Sequence, residues 1–304
     1  MKSKLIFFLK AALTALFIFL VIDKVGWPGI AKSLKTIRCG LLIALVYSLV
    51  FTFLRALKWY YLVSRGAGGN TSVGAGLKSY FVGMMGGLLT PGRVGEVARV
   101  VFLEQHRKSL IAYLVVIDRV FDIAAALLLA LPGIYYYTNV PAAAGVGIIL
   151  AVVVAGLFFP HYPARWLNRM LARSGKFPLL GERFGFIEDQ VAAIVPGFKI
   201  KFFGFTLLCY GIVIVQFYWL VTNYYPCRLW MAALSQPLIM LTNIMPLTIA
   251  GLGIREAAAA VLLAPFGIPR AAALSSAFML FLLNTALPAV IGAWLVFIRR
   301  KKRR

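Results

Sequence analysis

Apolar runs long enough to cross a bilayer recur along this chain, and no other feature constrains its fold as tightly. A spanning helix needs about 20 consecutive apolar residues. Six stretches qualify, at roughly 5–22, 41–63, 110–137, 143–159, 202–222 and 271–298. The chain as a whole is 62% hydrophobic, with a mean hydropathy of +0.89. The expected fold class is therefore all-α, a polytopic integral membrane protein whose 304 residues form a single membrane domain. Lys2 and Lys4 before the first run resemble the start of a signal peptide, but Lys10 interrupts that run and no small-residue cleavage site precedes Asp23. We read it as a retained first helix.

Charge orients the spans. There are 32 Lys and Arg residues against 9 Asp and Glu, a net charge of +23. In a soluble protein that balance would suggest nucleic acid. Here the cations cluster at the ends of apolar runs, where they meet anionic lipid headgroups and follow the positive-inside bias. Nucleic acid is not expected as a partner. The basic tail 299–304 (Arg299, Arg300, Lys301, Lys302, Arg303, Arg304) cannot cross a membrane cheaply and is assigned to the cytoplasm. Six spans then put both termini there, in the cell membrane. The segments 64–108 and 160–201, rich in Arg and Lys, fall inside, and the uncharged turn 138–142 falls outside. The segment 23–40 is the exception, outside yet carrying Lys24, Lys32, Lys35 and Arg38. Its stripe of Ile30, Leu34 and Ile37 suits an amphipathic helix on the outer surface.

Two further apolar stretches, 76–103 and 231–263, are broken in the middle by Pro and Gly and then by charge. The first break runs from Gly86 to Glu96 and the second from Pro246 to Glu256. Interrupted helices at membrane depth survive where they are buried or line a cavity, so both are expected to be re-entrant hairpins. Pro91, Gly92, Gly95, Pro246, Gly251 and Gly253 would be their backbone hinges. The order span, span, hairpin, span occurs twice and divides near Pro141. It predicts inverted halves, 1–140 and 141–298, with a substrate site where the two hairpins meet.

Four of the acidic residues lie in or beside apolar segments: Glu96, Asp118, Asp122 and Glu256. A carboxylate facing lipid is costly, about 3 kcal/mol even on the lenient scale, so each needs a partner. Glu96 lies three residues from both Arg93 and Arg99, on one broad helical face. Thr90 and Pro91 fit the cap and first position of that helix, with Gly86 and Gly87 allowing a tight turn before it. Arg93 in its first turn suits a phosphate oxygen. Asp118 and Asp122 share a face beside Arg119 and are expected to pair with Arg93 or Arg99. Arg255 and Glu256 form the matching pair of the second hairpin. These charges either brace the hairpins, bind substrate, or do both. Asn243, Asn284 and Gln216 suit helix–helix hydrogen bonds. Trp59, Tyr60, Tyr61 and Tyr135 to Tyr137 suit interfacial belts. Cys39, Cys209 and Cys227 fit neither a zinc site nor a disulfide framework, and His106 and His161 stand apart. No metal and no other cofactor is expected.

The stretch Thr90-Pro91-Gly92-Arg93-Val94-Gly95-Glu96-Val97-Ala98-Arg99 resembles the P-G-R-x-G-[DE]-x-x-R signature of the lysylphosphatidylglycerol synthase transmembrane family, also called flippase-like. Arg119-Val120-Phe121-Asp122 resembles its R-x-x-D element. The run from Gly251 to Glu256 resembles its late G-x-G-x-R-E element. Near Asp118 the family often has Glu, which keeps the charge and lengthens the reach. The resemblance implies a membrane module linked to moving lipids, or lipid-linked precursors, between leaflets. In the multiple peptide resistance factor this module is fused to a soluble aminoacyltransferase domain. Arg304 follows directly on the last span, so we expect no such domain and no synthase activity.

The leading expectation is a lipid flippase-like transporter, not an enzyme. Arg93, Arg99, Arg119 and Arg255 would contact an anionic or phosphate-bearing headgroup, and Glu96, Asp118, Asp122 and Glu256 would orient them or carry protons. The alternatives are an ion-coupled small-solute transporter, a membrane-embedded lipid enzyme, or a non-transporting partner of a separate lipid-modifying or glycosyl-transferring enzyme.

Overall fold

The computed structural model describes residues 40–67, 71–158, 196–242 and 251–302. The candidate first span, the amphipathic segment up to Cys39, most of the 160–201 segment, Asn243 and Pro246 lie outside the described residues. The described part is all-helical. Its α-helices are α1 (Gly40–Gly66), α2 (Val73–Leu89), α3 (Lys108–Tyr137), α4 (Val140–Phe158), α5 (Pro196–Thr222), α6 (Leu229–Leu241), α7 (Ile254–Leu263), α8 (Arg270–Phe281) and α9 (Leu287–Lys302). A 3-10 segment (Pro91–Phe102) follows α2, a 3-10 turn (Ala264–Phe266) follows α7, and a π turn (Leu282–Ala286) joins α8 to α9.

Among the described residues, four helical stretches are long and apolar enough to cross a membrane: Leu42–Gly66, Val140–Leu157, Gly197–Thr222 and Arg270–Arg299. They correspond to four of the six expected spans. α3, the fifth, is 30 residues long, about 45 Å at 1.5 Å per residue, and it carries Asp118, Arg119 and Asp122 within its apolar length. The linker expected over 138–142 is shorter than the sequence suggests, because α4 already begins at Val140.

Neighbouring contacts define two ends. At one, Arg299 at the foot of α9 pairs with Glu104 at 2.9 Å and covers the Phe102 ring, and Tyr61 meets Phe198. At the other, Tyr136 packs on Trp230 and Phe266. α2 and the 3-10 segment both reach the basic end and fold back on each other. α6 and α7 both reach the aromatic end, where Tyr137 Oη donates to Leu262 O at 2.6 Å.

Small residues let these elements close. A Cβ on Gly86 would lie 2.0 Å from Gly95 O, and one on Gly292 of α9 would lie 2.1 Å from Phe81 O of α2. Close backbone approach of this kind substitutes for the hydrophobic drive that helices lose in lipid. Gly86 and Gly87 therefore serve packing within α2; the tight turn expected of them falls later, at Thr90–Pro91. One core cluster, with Trp59, Tyr80, Ile111, Leu114, Phe121 and Phe202, joins α1, α2, α3 and α5. A second, with Phe217, Val221, Ile239, Ala259 and Ala273, joins α5 to α8. Exposed side chains such as Leu49, Phe53, Ile148, Val152 and Phe297 form the apolar exterior that a bilayer solvates.

Candidate functional site

The site begins at the Thr90 turn. Thr90 Oγ1 donates to Gly86 O at 2.9 Å and accepts from Gly95 N at 2.6 Å. The first turn is thus tied to Thr90 from Gly95, further along than an ordinary N-cap reaches, and the chain winds from Pro91 as a 3-10 helix where an α-helix was expected. With three residues per turn, residues three apart eclipse, so Arg93, Glu96 and Arg99 stack along one edge. Arg93 sits at φ 59°, the one left-handed non-glycine among the described residues, a strained conformation of the sort that collects at functional sites.

Glu96 is the hub. Its Oε1 lies 2.8 Å from Arg93 Nε, and its Oε2 accepts from Arg99 Nη2 at 2.9 Å, from Arg119 Nε at 3.0 Å and from Arg119 Nη2. Behind it Arg99 reaches Asp118 at 3.2 Å and stacks on the Trp59 ring, 4.1 Å from its centroid. Trp59 is fully buried and donates to Ser79 Oγ at 2.8 Å. It is a wall of the arginine site and not the interfacial belt residue expected; Tyr135 and Tyr136, by contrast, are exposed.

Two cations that sequence reasoning passed over complete the network. Arg55 of α1 makes a two-pronged bond to Asp122 at 2.7 and 2.8 Å. Lys58, one turn on, lies 2.8 Å from Asp118 and 2.7 Å from Asp122. Arg119 adds a third contact to Asp122 at 3.2 Å. Asp118 therefore pairs with Arg99 as expected, but Asp122 pairs with Arg55, Lys58 and Arg119, and Arg93 is not its partner. The signal was present: two cations at i and i+3 inside an otherwise apolar run have to face protein.

Arg55, Arg93, Arg119 and Arg255 converge with Asp122 on one central cavity of about 300 Å³, walled also by Tyr80, Met84, Tyr210, Gln236 and Asn284. Arg93 and Arg255 thus line one cavity. Arg255 lies over the Phe281 ring, 4.7 Å from its centroid. Glu96, Arg99 and Asp118 stand behind the cavity wall. Glu256 is held elsewhere: from the first turn of α7 it accepts from the N–H of the capping residue Gly253 at 2.7 Å. Gly251 and Gly253 have φ of 73° and 84°, so each supplies a turn that a side chain would strain. Of the other expected hinges, Gly95 is a close-approach residue, Pro91 opens the 3-10 segment, and Gly92 shares its first turn. Gln216 and Asn284 exchange amide bonds at 2.7 and 3.3 Å, the helix–helix contact expected of them, and Asn284 also borders the cavity. No group of three His, Cys, Asp or Glu side chains suited to a metal ion occurs among the described residues.

Apolar helices enclosing a buried arginine–carboxylate network define a class of integral membrane protein built around a charged interior. The chain belongs to the family described as lysylphosphatidylglycerol synthase TM region, whose profile matches residues 7–292. Membership gives it a place in the membrane and a lipid-related role. Comparisons with curated proteins and with solved structures gave no match.

Proposed function

We infer that this protein is a lipid flippase-like transporter that carries a phospholipid or lipid-linked phosphate between leaflets of the cell membrane, with no catalytic step of its own. One observation carries the reading. Among the described residues the network unites Arg55, Lys58, Arg93, Arg99 and Arg119 around Glu96, Asp118 and Asp122, and Arg55, Arg93 and Arg119 open on the cavity. Burying charge is expensive, and a positive surplus inside an apolar body is stabilised by an arriving anion. Bracing alone would call for as many carboxylates as cations. Arg93 and Arg119, each with about a quarter of its side chain exposed (25% and 27%), are the groups free to exchange a carboxylate for a phosphate oxygen.

In this reading the two folded-back pairs are re-entrant hairpins entering from opposite faces, in the inverted halves 1–140 and 141–298, with both termini cytoplasmic. Rocking of one half against the other would expose the cavity alternately, while acyl chains stay in lipid. Membrane lipids are the partners. The test is leaflet exchange of an acyl-labelled anionic lipid in proteoliposomes. Arg93→Ala and Arg255→Ala should each slow exchange at least tenfold, the scale of one lost charge-assisted contact. Unchanged rates in both variants would sink the assignment.

A further inference from the structure

A second cavity, of about 320 Å³, is bounded by Phe53 and Ala56 of α1, Leu77 and Phe81 of α2, and Leu287 and Ile291 of α9. Its mouth belongs to the apolar exterior, where Leu49, Phe53 and Leu287 are exposed. Among the described residues no charged side chain lines it, and its polar side chains are Ser48 and Thr52. Ser48 Oγ already donates to Leu283 O at 2.8 Å. The lining therefore asks for hydrocarbon and not for a polar ligand.

Two features set this groove apart from the ordinary roughness of a helix surface. First, it shares a wall with the charged cavity. On α1, Phe51 and Arg55 face that cavity while their neighbours Thr52 and Ala56 face the groove. Tyr80 and Phe81 of α2 divide in the same way, as do Thr285 of the π turn and Leu287 of α9. The bond from Ser48 to Leu283 O ties α1 to the π turn across this wall. A π turn within a helix is rare and collects at functional sites. Second, the groove is not slack between loosely packed helices. A Cβ on Gly292 would lie 2.1 Å from Phe81 O, so α9 already rests on the backbone of α2.

Depth and size select the occupant. The groove runs along α1 from Ser48 to Ala56, the middle of a helix of 27 residues. It opens near the centre of the hydrocarbon core, where neither water nor headgroups solvate the protein. An unfilled void deprives its lining of dispersion contacts. An apolar cavity of about 150 Å³ stays dry and takes up a benzene-sized molecule; this one is about twice as large and opens onto lipid. Its length along α1 is about 12 Å, eight residue steps of 1.5 Å. That suits a stretch of flexible chain and falls short of a spanning helix.

We propose that this groove seats one acyl chain of a membrane phospholipid, on the membrane side of the wall that closes the charged cavity. Occupancy requires only the bilayer. The role it serves, holding a lipid where α1 and the π turn would part to admit its headgroup, rests on the transport reading.

The full chain, purified in a constant large excess of detergent, is titrated with phosphatidylglycerol carrying a diazirine midway along one acyl chain. After irradiation the labelled residues are mapped by mass spectrometry. Labelling within 48–56 and 287–291 should saturate, and about a tenfold excess of the unmodified lipid should lower it about tenfold by mass action. Ile148 and Val152 on α4, exposed to the same lipid, should label in proportion to lipid added and resist competition. Ile291→Trp fills the groove and should abolish its labelling while leaving that of α4. Groove labelling that merely tracks α4 in the unaltered protein overturns the proposal and needs no variant. A groove that stays unlabelled while α4 labels is covered by protein, the apolar run 5–22 or a second copy, and overturns it as well. So does an Ile291→Trp protein that keeps saturable groove labelling. Leaflet exchange in proteoliposomes separates the two readings: a saturable groove without exchange keeps the chain seat and removes the flippase, and exchange with an unlabelled groove does the reverse.

Discussion

Glu96 and Arg93 are three residues apart and bonded to each other, yet their burdens differ. Glu96 is fully enclosed and answers Arg93, Arg99 and Arg119 at once. Removing one partner of a buried ion pair leaves uncompensated charge and costs about 3–5 kcal/mol. Glu96→Gln should therefore lower the thermal unfolding temperature of the detergent-purified protein sharply, and Glu96→Asp should recover only part of it because the shorter arm cannot reach all three cations. Arg93 is partly exposed and its partner keeps two other arginines. Arg93→Ala should cost roughly 1 kcal/mol or less in stability while slowing lipid exchange. If the two variants unfold alike, the division between a bracing carboxylate and a substrate-facing arginine is wrong. Relief of the φ 59° backbone gives a further comparison: Arg93→Gly should gain stability relative to Arg93→Ala.

At the scale of elements, the chain announces its broken stretches better than it announces what they do. Proline and glycine with charge just beyond them marked both interruptions, and Arg93 of the first meets Arg255 of the second at the cavity, with Glu96 and Arg99 behind its wall. What could not be read was the 3-10 winding of Pro91–Phe102. It accompanies Thr90 Oγ1 capturing Gly95 N, a side-chain bond that backbone propensity does not encode. Arg55 and Lys58 were legible in principle, but a hydropathy average over α1 hides two cations among so many apolar neighbours. Trp59 was misread for the same reason: an aromatic near the end of a span suits a belt, and only the position of Arg99 shows it facing inward. The glycines offer a contrast that tests the packing. A Cβ on Gly95 would lie 2.2 Å from Gly86 O and 2.6 Å from Thr90 Oγ1, whereas Gly145 and Gly147 on α4 have nothing within 4 Å. Gly95→Ala should cost about 1–3 kcal/mol as overpacking, seen as a lower unfolding midpoint. Gly145→Ala should be neutral or stabilising by up to about 1 kcal/mol through helix propensity. The reverse order would mean that the hairpin is not closed by backbone contact.

At the largest scale, the described helices join two ends of different chemistry through a charged centre. The basic end is closed by Arg299, which pairs with Glu104 and bonds to Val101 O, and the aromatic end by Tyr136, Trp230 and Phe266. Arg93 arrives at the cavity from the basic side and Arg255 from the aromatic side. If the cavity serves alternate faces of a membrane, a reagent confined to one face should find each position from the side its own tip enters. With Cys39, Cys209 and Cys227 replaced, single cysteines at Arg93 and Arg255 should react with a membrane-impermeant maleimide, Arg93→Cys from the face of the basic tail and Arg255→Cys from the other. Because both line one cavity, an anionic lipid that occupies it should protect both together, with the same concentration dependence. Protection of one alone would divide the cavity into separate sites. Labelling of both from a single face only would leave the charged centre as a one-sided pocket, able to bind a headgroup but not to pass it across.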